Sequence, residues 1–344
     1  MKFDWNDITI VPAELSDIDS RKEIETTYYQ HGIDMLPLFT APMDTVIGAD
    51  NVDQFYKHGL NICLPRGANY NGLYKDDVFH SFGLDEIIQM LNDGADLPKK
   101  VLIDIANGHM KKLYDVAKRI KEEKEVELMV GNIANPETYR KYCEIGVDWI
   151  RVGIGGGSAC TTSANVAIHY PMASLVNECY KIGMDFESMN QRPRCRIIAD
   201  GGFRNFSDII KAIGLGADAV MIGGILNKSL ESISDSFTKV GNEYIKISKE
   251  DALNRLNLGE DIYKYYRGMS TKEVQKTWNK GSLKTAEGIT KYNKVEYTIG
   301  SWCENFTDYL KSNMSYCGFR NLYEFTGNAH FIKITQNAFN RFNK

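Results

Sequence analysis

The sequence predicts a (β/α)8 barrel, in which eight parallel strands alternate with helices. Short apolar, β-branched runs recur along the chain, and each ends near Gly, Pro, Asn or Asp. Several of these runs are almost continuously apolar, which is typical of parallel strands buried on both faces. Stretches of helical composition lie between them, so strand and helix alternate eight times.

Each predicted element has its own signal. Apolar runs predict strands over residues 36–40, 60–64, 101–105, 128–130, 149–154, 196–199, 219–222 and 262–266. Helical composition predicts helices between the strands, most clearly over residues 51–58, 84–92, 110–124, 137–145, 167–182 and 206–215. In the tail, a helix is expected over 306–312 and a β-like segment over 331–335.

The alternative to a barrel is a doubly wound open sheet, which needs a topological switch point. No Gly-x-Gly-x-x-Gly opens a helix after the first predicted strand, which disfavours that fold. A chain of 344 residues allows two average domains or one large barrel. Neither a low-complexity linker nor an internal repeat divides it, so we predict one TIM-barrel domain over residues 1–344. Residues 281–301 have weak periodicity and follow the eighth predicted strand. We therefore expect a long active-site loop over about 270–300, followed by a tail over 306–344.

The composition excludes several classes of protein. The chain is 43% hydrophobic and 25% charged, which argues against disorder and against small disulfide scaffolds. A net charge of -4 provides no general attraction to nucleic acid or to an anionic membrane. No apolar run reaches transmembrane length, and the N-terminus lacks a signal-peptide pattern. Seven scattered cysteines without a Cys-x-x-Cys pair indicate reduced thiols and a cytoplasmic protein.

The strand predicted at 149–154 leads into a glycine-rich loop. Four glycines within residues 153–157 allow several backbone groups to point at one ligand, either a phosphate or a cation. Cys160 follows, with the hydroxyl of Thr162 two residues away, as expected of a nucleophile beside a proton-handling group. The alternative is a flexible loop with an incidental cysteine, because thiol reactivity depends on a pKa that the sequence does not reveal.

Paired glycines follow two later strands, as Gly201–Gly202 and Gly223–Gly224. TIM barrels commonly bind phosphate with the loops after their last two strands, so a phosphate site is predicted here. Asp200 is a candidate to accept hydrogen bonds from ribose hydroxyls. The alternative interpretation is tight β-to-α turns, which also favour glycine.

Two further strand ends carry candidate ligand-binding residues. Asp104 is suited to bind a ribose or an amide, or it caps the next helix. Met43 is placed to contact a flat base. His109 is the histidine nearest to a strand end, but neither a catalytic histidine nor a His, Asp and Glu metal cluster is indicated.

Four motifs together resemble the IMP dehydrogenase/GMP reductase family. They are Ala-Pro-Met-Asp-Thr-Val at 41–46, Gly-Gly-Gly-Ser-Ala-Cys-Thr-Thr at 155–162, Ala-Asp-Gly-Gly at 199–202 and Arg-Gly-Met-Ser at 267–270. The resemblance runs from about residue 7 to the C-terminus. It implies that the loop cysteine attacks C2 of a purine nucleotide. The dehydrogenase then oxidises IMP with NAD, whereas the reductase converts GMP to IMP and ammonia with NADPH.

The resemblance favours the reductase branch. Asp-Ile-Ala-Asn-Gly at 104–108 and Met-Ile-Gly-Gly at 221–224 look like reductase motifs, and no regulatory CBS pair is inserted between residues 60 and 101. Dehydrogenases use an Arg-Tyr pair on a long flap to activate water, and residues 271–285 contain no such pair.

Other residues depart from the reductase pattern. Tyr266-Arg267-Gly268 looks more like the dehydrogenase, Ser163 stands where both branches usually have arginine, and the segment around Arg66 matches neither branch well. The alternatives are an IMP dehydrogenase without CBS domains and a reductase of a deoxy or modified guanine nucleotide. A nucleotide-binding protein that has lost catalysis is the alternative from another class.

The resemblance also implies a role for each site residue, together with a homotetramer. The implied catalytic residues are Cys160, Thr162 and Glu287. The implied substrate-binding residues are Met43, Ser158, Asp200, Gly201, Gly202, Gly223, Gly224, Gly268, Met269, Ser270 and Gly288. The implied NADPH-binding residues are Ser20, Arg21, Asp104, Ile105, Ala106 and Met269, and carbonyls of Gly155, Gly157 and Cys160 would surround a potassium ion.

Overall fold

A computed structural model describes residues 1–30, 32–269, 271 and 288–342. Within these residues, eight parallel strands form one sheet that follows the chain order around a barrel. The barrel strands are β4 (Leu38–Thr40), β5 (Cys63–Leu64), β6 (Phe79–Phe82), β7 (Lys100–Asp104), β8 (Glu127–Ile133), β9 (Trp149–Val152), β10 (Arg196–Asp200) and β11 (Ala219–Ile222). The predicted TIM barrel is therefore confirmed.

The barrel closes between its first two strands through Asn61. The backbone amide of Asn61 donates to Leu38 at 3.0 Å, and its carbonyl accepts from Thr40 at 2.9 Å. The buried side-chain amide also donates to the carbonyls of Leu36 and Leu38. Because β5 has only two residues, it leaves buried backbone groups of the neighbouring segments without strand partners. Asn61 forms the hydrogen bonds that these groups need.

The prediction of the eighth barrel strand at 262–266 is wrong, and one barrel strand was missed. Residues 79–82 form the third barrel strand, although His80 and Ser81 interrupt its apolar pattern. Residues 263–267 instead belong to an antiparallel sheet and alternate between buried and half-buried positions. Such alternation is typical of an antiparallel strand with one covered face, whereas barrel strands are buried on both faces.

This antiparallel sheet follows the last barrel strand. Its members are β12 (Ser236–Val240), β13 (Glu243–Ile247), β14 (Tyr263–Arg267) and β15 (Thr290–Lys294). On one face, Tyr244 and Tyr292 stack with their ring centroids 3.9 Å apart. The sheet carries the chain from the barrel to the loop predicted at 270–300 and back. Residues 281–287 of the segment predicted as a loop lie outside the described residues, and residues 290–294 form a strand instead.

The remaining strands are short and lie outside the barrel. They are β1 (Ile8–Ile10), β2 (Tyr28–Gln30), β3 (Ile33–Met35) and β16 (Phe331–Lys333). β1 pairs with β16, so the first and last strands of the described chain are joined.

Most predicted helices are present within one or two residues of their expected bounds. The helices are α1 (Val52–Lys57), α2 (Leu84–Asn92), α3 (Lys111–Glu123), α4 (Pro136–Glu144), α5 (Thr162–Val166), α6 (Met172–Asn190), α7 (Phe206–Gly214), α8 (Gly224–Asn227), α9 (Lys249–Asn257), α10 (Ile299–Cys317), α11 (Leu322–Phe325) and α12 (Gln336–Phe342). The helix expected at 167–182 begins later because Pro171 precedes it at the N-cap. The tail helix is longer than expected, since the Thr298 side chain caps it at its start. None of the described helices is both long and apolar enough to span a lipid bilayer.

Side chains from alternate strand positions fill the barrel interior. Phe39 packs against Phe79 and Trp149, with ring centroids 6.0 and 5.1 Å apart. Cys63 and Met129 lie in the same buried cluster. Because this interior is packed rather than hollow, ligands have access at the strand ends and not through the barrel.

Lys264 on β14 is a buried lysine, and its titration makes the free energy of unfolding change with pH in the alkaline range. Its Nζ donates to the carbonyls of Ser232 and Ser234 at 2.9 and 3.0 Å, and burial lowers its pKa from 10.5 to about 8. Between these values the unfolded chain binds the proton more tightly, so the free energy of unfolding rises with pH. We expect the wild type to gain stability relative to Lys264→Met from about pH 8 to 10.5. Urea unfolding across this range measures the difference, and a constant difference would contradict the prediction.

Candidate active site

The carboxyl ends of the barrel strands and β14 and β15 enclose a cavity of about 250 Å³. The cavity brings together residues that are far apart in the sequence. Those predicted from the sequence to bind substrate are Met43, Ser158, Asp200, Gly201, Gly202, Gly223 and Gly224. Seven of the predicted residues therefore share one site, and Gly157 lines it as well.

Two glycine loops meet here backbone to backbone. A Cβ at Gly156 would lie 3.3 Å from the Gly201 carbonyl carbon and 3.4 Å from the Gly202 nitrogen. Gly201 and Gly202 have φ values of +97° and +83°, which L side chains rarely adopt. The glycines therefore serve both the turn geometry and the close contact between loops, which is more than a β-to-α turn requires.

Cys160 is the one exposed cysteine among the described residues. Its Sγ donates to Thr162 Oγ1 at 3.2 Å, so the predicted thiol and hydroxyl are in contact. The other cysteines are buried, and burial raises the pKa of the thiols of Cys63 and Cys303, the latter to about 12. Access to solvent and a hydroxyl partner together make Cys160 the candidate nucleophile.

The Cys160 loop is held by the segments that flank the predicted flap. Cys160 forms an antiparallel bridge with Gly288, and the Ile289 amide donates to the Ala159 carbonyl at 3.1 Å. Gly268 approaches so closely that a Cβ there would lie 2.5 Å from the Ala159 carbonyl oxygen. Glu287 and Ser270, like residues 272–287 as a whole, lie outside the described residues, so the roles expected of them stay predictions. Met269, which follows Gly268 in the chain, is half-buried.

Arg151 is a central residue that the sequence reasoning missed. It is buried, and its guanidinium donates to Asp104 at 2.6 Å and to Asp200 at 2.8 and 3.1 Å. Burial lowers the pKa of Arg151, but the charges of Asp200 and Asp104 outweigh burial and raise it. Asn132 also donates to Asp200 at 2.7 Å. A charge within the apolar run at 149–154 was the available signal.

Asp104 does not cap the helix that follows, because that helix starts at Lys111 and Met110 stands at its N-cap. Instead, Arg151 joins Asp104 to Asp200 at the cavity. Ile105 is half-buried and Ala106 is exposed, so this strand end presents an open loop beside the site.

The two other predicted cofactor residues lie elsewhere in the chain. Ser20 caps a short 3-10 turn by accepting from the Lys22 amide, and Arg21 donates to Ser312 Oγ at 2.9 Å on α10. Neither residue lines the cavity of this chain. The structure therefore does not bring Ser20 and Arg21 to the site.

Two of the three carbonyls expected to surround potassium accept hydrogen bonds within the protein. The Gly155 carbonyl accepts from Ser163 Oγ at 3.2 Å, and the Gly157 carbonyl accepts from the Cys160 amide at 2.9 Å. Each oxygen retains a second lone pair. Ser163, which departs from the family pattern, thus stabilises the loop, and the potassium site stays a prediction.

The cavity is locally basic although the chain is acidic overall. Arg204, Lys228 and Lys291 line it, and Lys291 Nζ donates to Ser158 Oγ at 3.2 Å. Burial raises the pKa of Tyr266 to about 12, so its hydroxyl stays protonated at neutral pH. Tyr266 and Lys291 were not predicted as site residues, and the β15 strand that carries Lys291 falls in a segment predicted as a loop.

The fold and site define a TIM-barrel protein with an accessible thiol beside a basic, glycine-lined cavity. The profile described as the IMP dehydrogenase / GMP reductase domain matches residues 82–342. The chain belongs to this oxidoreductase family, as the four motifs indicated.

Relatives from both branches are similar to this chain. The GMP reductase of Shouchella clausii is 28% identical over 98% of this chain and 97% of its own length. The IMP dehydrogenase of Chlorobaculum parvum is 31% identical over 68% of this chain and 45% of its own length, and that of Nitrosopumilus maritimus is 30% identical over 74% and 50%. The chain thus spans about half the length of the IMP dehydrogenases that it matches.

Proposed function

We propose that this protein is a GMP reductase, which uses NADPH to convert GMP to IMP and ammonia. The observation that carries the proposal is the contact between Cys160 Sγ and Thr162 Oγ1 beside the basic cavity of about 250 Å³. The end-to-end similarity to the GMP reductase of Shouchella clausii supports this branch. So does the lack of an Arg-Tyr pair in residues 271–285.

In this mechanism, Cys160 makes and breaks the covalent bonds to the purine. Its sulfur adds to C2 of GMP, and a proton relayed through Thr162 to the 2-amino group allows the C2–N bond to break and ammonia to leave. Glu287 is the proposed partner of Thr162 in this transfer. Hydride addition at C2 then allows the C2–S bond to break, which releases IMP and the thiolate. Overall, GMP, NADPH and two protons give IMP, NADP⁺ and ammonium.

The remaining residues orient the reactants. Asp200, which is held by Arg151 and Asn132, would accept hydrogen bonds from the ribose. Bound NADPH would supply the hydride, and the strand end with half-buried Asp104 and exposed Ala106 would hold its nicotinamide, since Arg151 joins Asp104 to the substrate side. Ser20 and Arg21 are proposed to reach the adenosine end only within the homotetramer that the resemblance implies.

The direct test follows the loss of NADPH absorbance when purified protein is incubated with GMP. We expect oxidation of NADPH with release of IMP and ammonia in equal amounts. The same assay with dGMP defines the sugar, and added potassium tests the cation. Absence of NADPH oxidation, together with NADH formation from IMP and NAD, would overturn the proposal.

An IMP dehydrogenase is the second candidate, because Tyr266-Arg267-Gly268 looks like that branch and its members match this chain at similar identity. A dehydrogenase requires a group that activates water, and residues 271–285 contain no Arg-Tyr pair for this role. A binding protein without catalysis would show no turnover with any guanine nucleotide and no covalent purine adduct by mass spectrometry.

A further inference from the structure

Lys291 is a cation in the cavity that neither the motifs nor the proposed mechanism uses. It lies on β15 directly opposite Tyr266 on β14, so both side chains extend from the same face of the sheet. Its Nζ lies 5.4 Å from the Tyr266 ring centroid and donates to Ser158 Oγ. Tyr292, the next residue, stacks on the opposite face.

The surroundings of this amine favour an anion. Within the described part of the chain, Lys291 makes no ion pair, whereas Lys228 is paired with Glu296 at 2.8 Å and Arg204 with Asp208 at 3.2 Å. Burial and then the charge of Lys228 lower the pKa of Lys291. An ammonium that is partly desolvated beside another cation gains most from a doubly charged ligand.

The position of Lys291 also links two parts of the active site. Ser158, which its amine contacts, lies two residues before Cys160. Gly288, three residues before Lys291, forms the backbone bridge to Cys160. One ligand held by Lys291 and Ser158 therefore connects β15 to the cysteine loop.

We propose that Lys291 binds the phosphate of the nucleotide and thereby holds β15 and Gly288 against the Cys160 loop. The inference rests on the proposed purine nucleotide reaction, and it assigns to that reaction a binding residue outside the family motifs. The phosphate would then do more than hold the nucleotide, because its binding energy would also order the Cys160 loop, where the reaction takes place.

The first experiment measures binding of ribose 5-phosphate, ribose, GMP and guanosine by titration calorimetry. Lys291→Met is expected to weaken binding of both phosphate esters by about 10- to 100-fold, while guanosine binding is unchanged. Lys291→Arg should restore most of the affinity. Lys294→Met is the matched control, because Lys294 lies on the same strand but pairs with Asp261 at 2.6 Å.

Equal affinity of the wild type and Lys291→Met for ribose 5-phosphate would overturn the inference. Because this probe has no base and needs no NADPH, its result is independent of the proposed reaction. Phosphate binding that depends on Lys291 without NADPH oxidation would leave the inference standing and overturn the reductase. Turnover of GMP with an unchanged KM in Lys291→Met would overturn the inference and leave the proposed reductase standing.

The second experiment tests the link to Cys160 through its rate of alkylation by iodoacetamide. Inorganic phosphate is expected to slow alkylation in the wild type and in Lys294→Met, and Lys291→Met is expected to lose this protection at saturating phosphate. Equal protection in Lys291→Met would contradict the proposed link.

Discussion

Replacing Cys160 with alanine is expected to lower turnover by at least about a thousandfold while leaving nucleotide affinity nearly unchanged. The thiol is exposed and contacts Thr162, but it contributes neither to the core nor to the glycine loops that line the cavity. Its loss therefore removes the covalent step and little else. Steady-state assay with GMP and NADPH measures turnover, and titration calorimetry measures affinity for GMP.

Two variants make this prediction specific. Cys317→Ala removes a buried thiol at the end of α10 and is expected to leave turnover unchanged. Thr162→Val keeps the shape of the side chain but removes the hydroxyl, so we expect ammonia release to slow by about 10²- to 10⁴-fold. Full activity of Cys160→Ala would show that the reaction does not pass through a bond to this sulfur.

Replacing Arg151 with methionine is expected to lower the free energy of unfolding by about 3–5 kcal/mol and to abolish turnover. The arginine is 6% exposed and is hydrogen-bonded to both Asp104 and Asp200. Without it, two enclosed carboxylates face each other and lose the guanidinium that orients them. Urea unfolding measures the stability, and calorimetry with GMP measures the loss of the ribose contact.

Two further variants separate the effect on the site from the effect on the fold. Arg194→Met breaks another enclosed pair, with Asp218 at 2.7 and 2.8 Å, but Arg194 does not line the cavity. We expect it to destabilise the protein with little effect on GMP affinity. Neutralising the whole set in Arg151→Met/Asp104→Asn/Asp200→Asn should recover stability but not turnover. Recovery of turnover in this triple variant would show that the charges only support the fold.

The sequence predicted elements well where neighbouring residues carry the whole signal. The amphipathic helix at 84–92 and the apolar strand at 219–222 were predicted with the bounds that the structure has. It failed at residues 79–82, where two polar side chains hide a barrel strand. It also failed at 262–266, where a strand of the right composition belongs to another sheet. Propensity describes a strand but does not say which strand lies beside it.

The site shows the same division. The sequence by itself indicated the glycine loops, Cys160 with Thr162, and Asp200 as candidates, because the signal for each lies in residues adjacent in the chain. Only the tertiary structure decided that Arg151 bridges Asp104 and Asp200 and that Lys291 contacts Ser158, 133 positions away. The physical reason is that hydrogen bonds and charges act over a few ångströms in space, and the folded barrel alone brings those groups within that range.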